Sequence, residues 1–264
     1  MQIIRLPQHI LYLFPFNFIP IEKYRMHEIL INSFEDYHNE VSSWPSQTRY
    51  YFRGMSRSYY ELRPSLGRSV DSTGYYDEKR LLTEFKNQSL AYNKNIPDND
   101  WEWLALAQHH GLPTRLLDWT TNPLVALYFA VKDNLYLEEE KKIRPDYDGS
   151  SVVYFLIFKS LPINIIEANS PFEYSEPTIF WPPHTTPRIK AQSGVLTIQP
   201  DPYMNFNFGS RLTKLVIPYG IRLKLRSILN SYGIHDSSMF PDLDGLAKHL
   251  KNIREGHYCS WDRE

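Results

Sequence analysis

Apolar positions recur at helical spacing over residues 22–42. Met26, Ile29, Leu30, Phe34 and Tyr37 share one face while Glu, Asp and His occupy the other, which predicts a covering helix. Thr48 to Phe52 is an aromatic, β-branched run stopping at Gly54, so it predicts a strand with Arg53 at its C-terminal end. A Ser/Gly/Tyr segment expected to be flexible follows. Asp77 to Tyr92 then reads as a helix with Leu81, Leu82, Phe85 and Leu90 inward, and Trp101 to His109 as another beyond Pro97 and Asp98.

Gly111 to Thr121 breaks this rhythm and reads as a connection. Gly111 suits a left-handed helix end, and Pro113 pushes Leu112 toward extended geometry. Asn122 and Pro123 restart a helix as N-cap and first helical position, with Leu124, Leu127, Tyr128, Val131 and Leu135 facing the core. Glu138 to Lys142 reads as a solvated charge run, Ser151 to Phe158 as a central buried strand, and the proline-rich segment 160–187 as loop. Arg188 to Ile198 and Lys214 to Ile217 predict further strands. Ile221 to Tyr232 and Leu243 to Ile253 predict helices, the last capped by Asp242. Helices gather in the first half and strands in the second, an α+β pattern. No linker divides the chain, so 1–264 is expected to be a single domain. Within it, 1–45 forms an arm and covering helix, 46–200 the core, and 201–264 a C-terminal strand and helices.

Composition narrows the classes. The 264 residues are 42% apolar and 15% aromatic, enough for a sizeable core. A formal net charge of −1 offers no global attraction to nucleic acid or an anionic membrane, leaving only a local basic patch for such partners. The single cysteine, Cys259, excludes an intrachain disulfide and a cysteine-based zinc cluster, and fits a reducing cytoplasm. Pro7 and His9 interrupt the apolar N-terminal run, which therefore reads as a buried strand or extended arm and not as a signal peptide or membrane span.

The densest chemistry lies in residues 103–131, where two histidines, an arginine, an aspartate, a tryptophan and threonines sit between two apolar patterns. No phosphate loop, dinucleotide fingerprint, His-Glu-x-x-His spacing or Gly-x-Ser-x-Gly elbow is present. His109 and His110, followed by Asp118, suggest a metal or acid/base pair. Adjacent helical positions point about 100° apart, however, so no metal is expected, and the plainer alternative is a histidine bonded to a helix-end carbonyl.

Phe52-Arg53-Gly54, Gln108 to Thr120, Asn122 to Ala130, Gln192-Ser193-Gly194 and Phe240 to Leu246 together resemble the FRG-domain family, named for that first triplet. The likeness covers most of the chain, and its central motif, Gln-His-x-Gly-Leu-Pro-Thr-Arg-Leu-Leu-Asp-Trp-Thr, is highly specific. The order of elements is also similar to mono-ADP-ribosyltransferases: an aromatic-Arg-Gly strand, a strand leading into Asn-Pro-x-x-Ala-x-x-Phe-Ala, then a strand carrying a catalytic glutamate. That resemblance implies a mixed or antiparallel split sheet with helices around it, and NAD as substrate. It also implies a toxin or defence effector that transfers ADP-ribose to a protein or nucleic acid.

On this pattern Arg53, Gly54, His109, Thr114, Arg115, Trp119 and Thr120 are the candidate NAD contacts. Arg53 suits a phosphate, the amides at the Asn122 helix start add an anion contact, and Trp119 suits stacking. An oxocarbenium-like centre needs a carboxylate. Gln192 stands where the glutamate is expected, so Asp118 and Gln192 are the catalytic candidates. Arg57, Arg63, Arg68, Tyr59 and Tyr60 offer further stacking and phosphate contacts.

Scaffold roles compete with these. Arg53 beside Asp118, or Arg115 paired with Asp118, would fix the core, and Trp119 would fill it. The second function class is accordingly a non-catalytic nucleotide or nucleic-acid binding module using the same pocket.

Overall fold

The computed structural model of the chain describes residues 27–44, 49–68, 70–71, 74–75, 77–92, 95–158, 161–183, 186–206 and 212–258. The N-terminal arm with Met26, the strand start at Thr48, and Cys259 lie outside the described residues. The strands are β1 (His27–Leu30), β2 (Tyr50–Met55), β3 (Val70–Asp71), β4 (Gly74–Tyr75), β5 (Leu116–Thr120), β6 (Ser151–Ile157), β7 (Thr178–Phe180), β8 (Gly194–Ile198) and β9 (Leu212–Ile217). The helices are α1 (Phe34–Ser42), α2 (Ser65–Arg68), α3 (Glu78–Ser89), α4 (Asp100–His109) and α5 (Pro123–Val131), then α6 (Leu137–Ile143), α7 (Pro187–Ala191), α8 (Arg222–Ser231), α9 (Asp236–Met239) and α10 (Leu243–Arg254).

A seven-stranded mixed sheet in the order β1-β9-β6-β2-β5-β8-β7 organises the molecule, and β3 pairs with β4 separately. β1 runs parallel to β9 and the other neighbours are antiparallel. The nearly continuous apolar run of β6 is buried on both faces, as a central strand requires. On one face Phe52, Val153, Phe155, Leu215 and Ile217 pack under α5 and α8. On the other, Tyr51, Leu117, Trp119, Tyr154 and Leu156 pack with Leu62 and Phe206. A third cluster joins Trp101 and Leu104 of α4 to Leu116, Leu196 and Ile198.

The α5 sequence, Pro-Leu-Val-Ala-Leu-Tyr-Phe-Ala-Val, is apolar nearly all round because the helix is wedged into the core. It lies so close to β2 that a Cβ on Gly54 would sit 1.8 Å from the Ala126 carbonyl oxygen. Asn122 caps its start by accepting from the Leu124 amide at 2.9 Å, and the Tyr37 hydroxyl donates to the Pro123 carbonyl at 2.7 Å. The expected left-handed helix end is present at Gly111, with φ of 85°.

Several expectations are corrected. Residues 27–30 of the anticipated first helix form β1. The helix begins only at Phe34, where Ser33 in extended backbone accepts from the Asp36 amide; the apolar spacing there fits either period. β2 continues through Arg53 and Gly54 to Met55, so Gly54 is a contact glycine and not a strand terminator. The supposed connection 111–121 contains β5, a strand held between β2 and β8 by tertiary pairing. Residues 187–191 are helical because Thr186 caps and Pro187 takes the first turn, leaving the strand to begin at Gly194. The proline-rich segment includes β7, and helices occupy both halves of the chain. Leu90 is 53% exposed at the frayed end of α3. Glu140 is not freely solvated, since Arg57 Nε donates to it at 2.9 Å.

Because the obstacle at Gly54 is helix backbone, Gly54→Ala must push α5 off the sheet. We expect a loss of about 3 kcal/mol, the upper end of overpacking costs, read as a lower urea midpoint with an unchanged slope. A variant as stable as wild type would show that α5 can move freely.

Candidate functional site

β2 and β5 share one register pair among the described residues, Phe52↔Thr120. Where the next rung would lie, the Arg53 guanidinium takes the place of a backbone donor. Its Nη1 donates to the Asp118 carbonyl oxygen at 2.5 Å and lies 3.7 Å from Asp118 Oδ2. This gap opens into a cleft of about 270 Å³ walled by β2, α4, β5 and α5 on one side and α7 and β8 on the other. Arg53, Gly54, His109, Asp118, Trp119, Thr120 and Gln192 all line it. Segments far apart in sequence therefore converge as expected.

The chemical character of each residue follows from its partners. The Asp118 side chain is 63% exposed while that of Arg53 is 18% exposed, so the carboxylate is the accessible member of the pair. Arg53 Nε is buried without a hydrogen-bond partner among the described residues. Burial pushes the Arg53 guanidinium below its ordinary value, as does the neighbouring charge of Arg68, while Asp118 acts against the shift. A guanidinium nonetheless remains charged at neutral pH. His109 is pushed below the usual imidazole range by burial and then by the Arg188 charge, against the pull of Asp118, so it is neutral at pH 7.

Thr120 and Gln192 are tied to each other and to the frame. The Thr120 hydroxyl donates to the Gln192 carbonyl at 2.7 Å and accepts from the Asn122 amide at 3.0 Å. Gln192 ends α7, and its side-chain amide donates to the Met239 carbonyl at 3.0 Å. Ser193 turns the chain into β8 with φ of 47°.

Two other expected contacts, Arg115 and Thr114, are not in the cleft. Arg115 does not pair with Asp118. Its Nε donates to Glu78 Oε2 at 2.5 Å, its own amide to Glu78 Oε1 at 2.8 Å, and its guanidinium covers the Phe172 ring at 4.9 Å. The alternation of β5 explains this, because Glu78 of α3 reaches the strand's start and neutralises the buried cation there. Burial pushes the Glu78 carboxyl up, although Arg115 opposes the shift. Thr114 is fully buried, with its hydroxyl donating to Gln108 Oε1 at 2.5 Å. Trp119 borders the cleft, but its ring is buried in the opposite core face, where Nε1 donates to Thr197 Oγ1 at 2.9 Å.

Of the more distant candidates, Arg57 pairs with Glu140, Arg63 lies 2.8 Å from Glu61, and Tyr59 packs edge-on against Tyr147. Tyr60 lies under the Arg57 guanidinium at 5.5 Å. None of them, nor Arg68, lines the cleft. The His109 and His110 rings stand at 86°, and no cluster of three metal-ligating side chains occurs among the described residues. No helix among them is long and apolar enough to cross a membrane.

Three cleft residues escaped the sequence analysis. Gln108 stands inside the specific motif, which predicts no role for it, and the pattern predicts Phe129 only as part of a helix. The pattern predicts Arg188 as the start of a strand, whereas the Thr186-Pro187 cap signal marks a helix presenting it to the cleft. The Arg188 guanidinium lies 4.5 Å from the centre of the Phe240 ring.

Residues 48–139 match the FRG domain family model. Over those residues the chain is similar to the FRG domain. No curated protein and no solved structure matches it. The FRG match contains Arg53, His109, Asp118 and Thr120, whereas Arg188 and Gln192 of the opposite wall lie beyond it.

That opposite wall leans on α9, which offers the Met239 carbonyl to Gln192 and is followed by Phe240 under Arg188. Asp236 pins α9. It accepts from Tyr128 at 2.8 Å, Asn252 at 2.7 Å and Tyr258 at 2.9 Å, with Lys248 Nζ at 3.1 Å. Burial alone would raise this carboxyl, but the bonds from Tyr128, Lys248 and Tyr258 and the Lys248 charge hold it at about 2. A depressed acid stabilises the fold above its unfolded value near 4 and loses that contribution as pH falls toward about 2. We expect Asp236→Asn to cost about 2 kcal/mol at pH 6, with the difference from wild type shrinking as urea titrations are repeated down to pH 3. A difference independent of pH would show that the ionised carboxylate is not what holds α9.

Proposed function

We propose that the cleft binds NAD and breaks its nicotinamide–ribose bond, passing ADP-ribose to a protein or nucleic-acid acceptor as a toxin or defence effector would. The observation that carries this is the side-by-side presentation of a largely buried Arg53 cation and an exposed Asp118 carboxylate in one cleft. An arginine with a partnerless buried Nε suits a phosphate or ribose oxygen, and Arg188 brings a second cation to the opposite wall. At about 270 Å³ the cavity lies just below the usual range of ligand sites, which suits the nicotinamide-ribose half with the rest of the dinucleotide outside.

In the reaction, the bond from the ribose anomeric carbon to the pyridinium nitrogen breaks and its electron pair neutralises the departing nicotinamide. Positive charge develops on the ribose, where the Asp118 carboxylate stabilises it until the acceptor's nucleophile adds and loses its proton. His109, neutral at pH 7, is available to take that proton. The single rung between β2 and β5 supports the split-sheet likeness to ADP-ribosyltransferases.

A second reading, nucleotide binding without turnover, has its own support. The Gln192 amide, in the place of the expected glutamate, is already engaged with the Met239 carbonyl.

Calorimetry of Arg53→Ala should show NAD binding weakened by about 1.5–3 kcal/mol, the worth of a charged hydrogen bond. Absence of binding to the wild type by NAD, ADP-ribose or any nucleotide would overturn both readings. Asp118→Asn should lower nicotinamide release about 100-fold or more with affinity nearly unchanged, since the interaction acts in the transition state. With Asp118 63% exposed, the variant should fold normally, which a melting curve checks. Undiminished turnover in this folded variant would remove Asp118 from the mechanism.

A further inference from the structure

The motif that names Thr114 and Gln108 has no direct place in that chemistry, yet both belong to one hydrogen-bonded chain ending on Asp118. The Thr114 hydroxyl oxygen accepts the Leu116 amide at 3.2 Å, and its single proton goes to Gln108 Oε1 at 2.5 Å. The hydroxyl keeps a second lone pair and could accept from an NH₂ as well, so the orientation of the Gln108 amide is decided at its far end, where it meets two acceptors. The NH₂ end must then face them. There Nε2 donates to Asp118 Oδ2 at 3.0 Å and approaches the Leu116 carbonyl at 3.4 Å. The flipped amide would set oxygen against a carboxylate and a carbonyl, both acceptors. Thr114 is itself immobilised: it is fully buried, its amide donates to Ser65 Oγ at 3.2 Å, and its carbonyl accepts from the Leu66 amide at 3.2 Å.

We propose that Gln108 is a positioning residue: with its amide held between Thr114 and the Leu116 carbonyl, it holds Asp118 Oδ2 and so turns the other carboxylate oxygen toward the cleft. An aspartate as exposed as this one would otherwise rotate among its staggered conformers, and each conformer carries the charge to a different place. Arg53, at 3.7 Å from the same Oδ2, adds attraction without the directional bond that fixes a rotamer. Pre-set geometry of this kind separates a carboxylate that happens to be near a ribose from one that stabilises charge on it. The inference rests on Asp118 being the working carboxylate of the cleft, but the pairing itself can be tested without any ligand.

The experiment is a reversal of the pair, read by melting temperature and by nicotinamide release from NAD. Gln108→Glu replaces the donor with a second carboxylate and should lower the melting temperature by about 3 °C. The double variant Gln108→Glu with Asp118→Asn restores one donor and one acceptor in exchanged positions, while Thr114 still finds an acceptor. Its melting temperature should return to within about 1 °C of wild type, with turnover still lost. Losses that simply add in the double variant would overturn the pairing.

Gln108→Met removes the donor without adding charge. It should reduce kcat about 10-fold with KM little changed, the pattern of a group that acts through another; an unchanged kcat would overturn the positioning role. If wild type releases no nicotinamide, the functional reading falls, and the melting temperatures of the reversed pair alone decide whether Gln108 holds Asp118.

Discussion

The close approach of α5 to β2 is the constraint on which the architecture depends. A helix seats this near a strand only if one residue brings no side chain, and at Gly54 even a methyl group would fall 1.8 Å from helix backbone. Once α5 lies there, its N-terminus is fixed by Asn122 and by the Tyr37 hydroxyl on the Pro123 carbonyl. That fixes the end of β5, because Thr120 bonds to the Asn122 amide. Arg53 precedes Gly54 and points to the opposite face of the sheet. It is carried to the edge of the one rung that β2 and β5 share among the described residues, where the Asp118 carbonyl accepts its guanidinium. Packing on one face of the sheet thereby positions chemistry at its seam.

Two acids and two arginines meet β5, and their division of labour follows from burial. Glu78 and Arg115 have side chains 5% and 13% exposed, with the carboxylate bonded to both guanidinium and backbone amide. Removing one partner from such a pair leaves a buried charge, so it belongs to the scaffold. Arg53 and Asp118 are 3.7 Å apart, with the acid largely in solvent. A loose, half-exposed pair contributes little to stability and leaves both groups free to meet a ligand.

Features with a local cause were readable from the sequence. Asn122 and Asp242 act as helix caps, Gly111 ends its helix left-handed, and the apolar run of β6 is a central strand. Where the cause is distant, the sequence misled. Leu116–Thr120 is short, flanked by proline and glycine signals, and is a strand only because β2 and β8 lie beside it. Arg115 has an acid three residues away, but Asp118 lies on a strand whose alternation turns the two side chains to different faces, and the real partner is on α3. Of the two roles open to Trp119, stacking surface or core, the same alternation selects core. Convergence of Arg53 with Asp118 and Thr120 was legible because both segments carry punctuation at their ends, even though β2 extends past its glycine.

The two walls of the cleft are held by different means, and this bears on how the site works. The wall inside the FRG match is set by sheet register, by α5 on Gly54 and by the Thr114 to Gln108 chain, all parts of the packed core. The opposite wall carries Arg188 and Gln192 on the five-residue α7 and leans on the four-residue α9. Helices this short gain little from their own hydrogen bonds, so their placement depends on tertiary anchors such as Asp236. Arg53 and Asp118 are therefore preorganised, whereas Arg188, Phe240 and the Gln192 bond to Met239 belong to the softer side. A ligand of the proposed kind, entering between them, would meet the Arg53 and Asp118 charges on the firmer wall. Any ordering on binding would then fall on the α7 and α9 side, whose short helices depend on tertiary anchors.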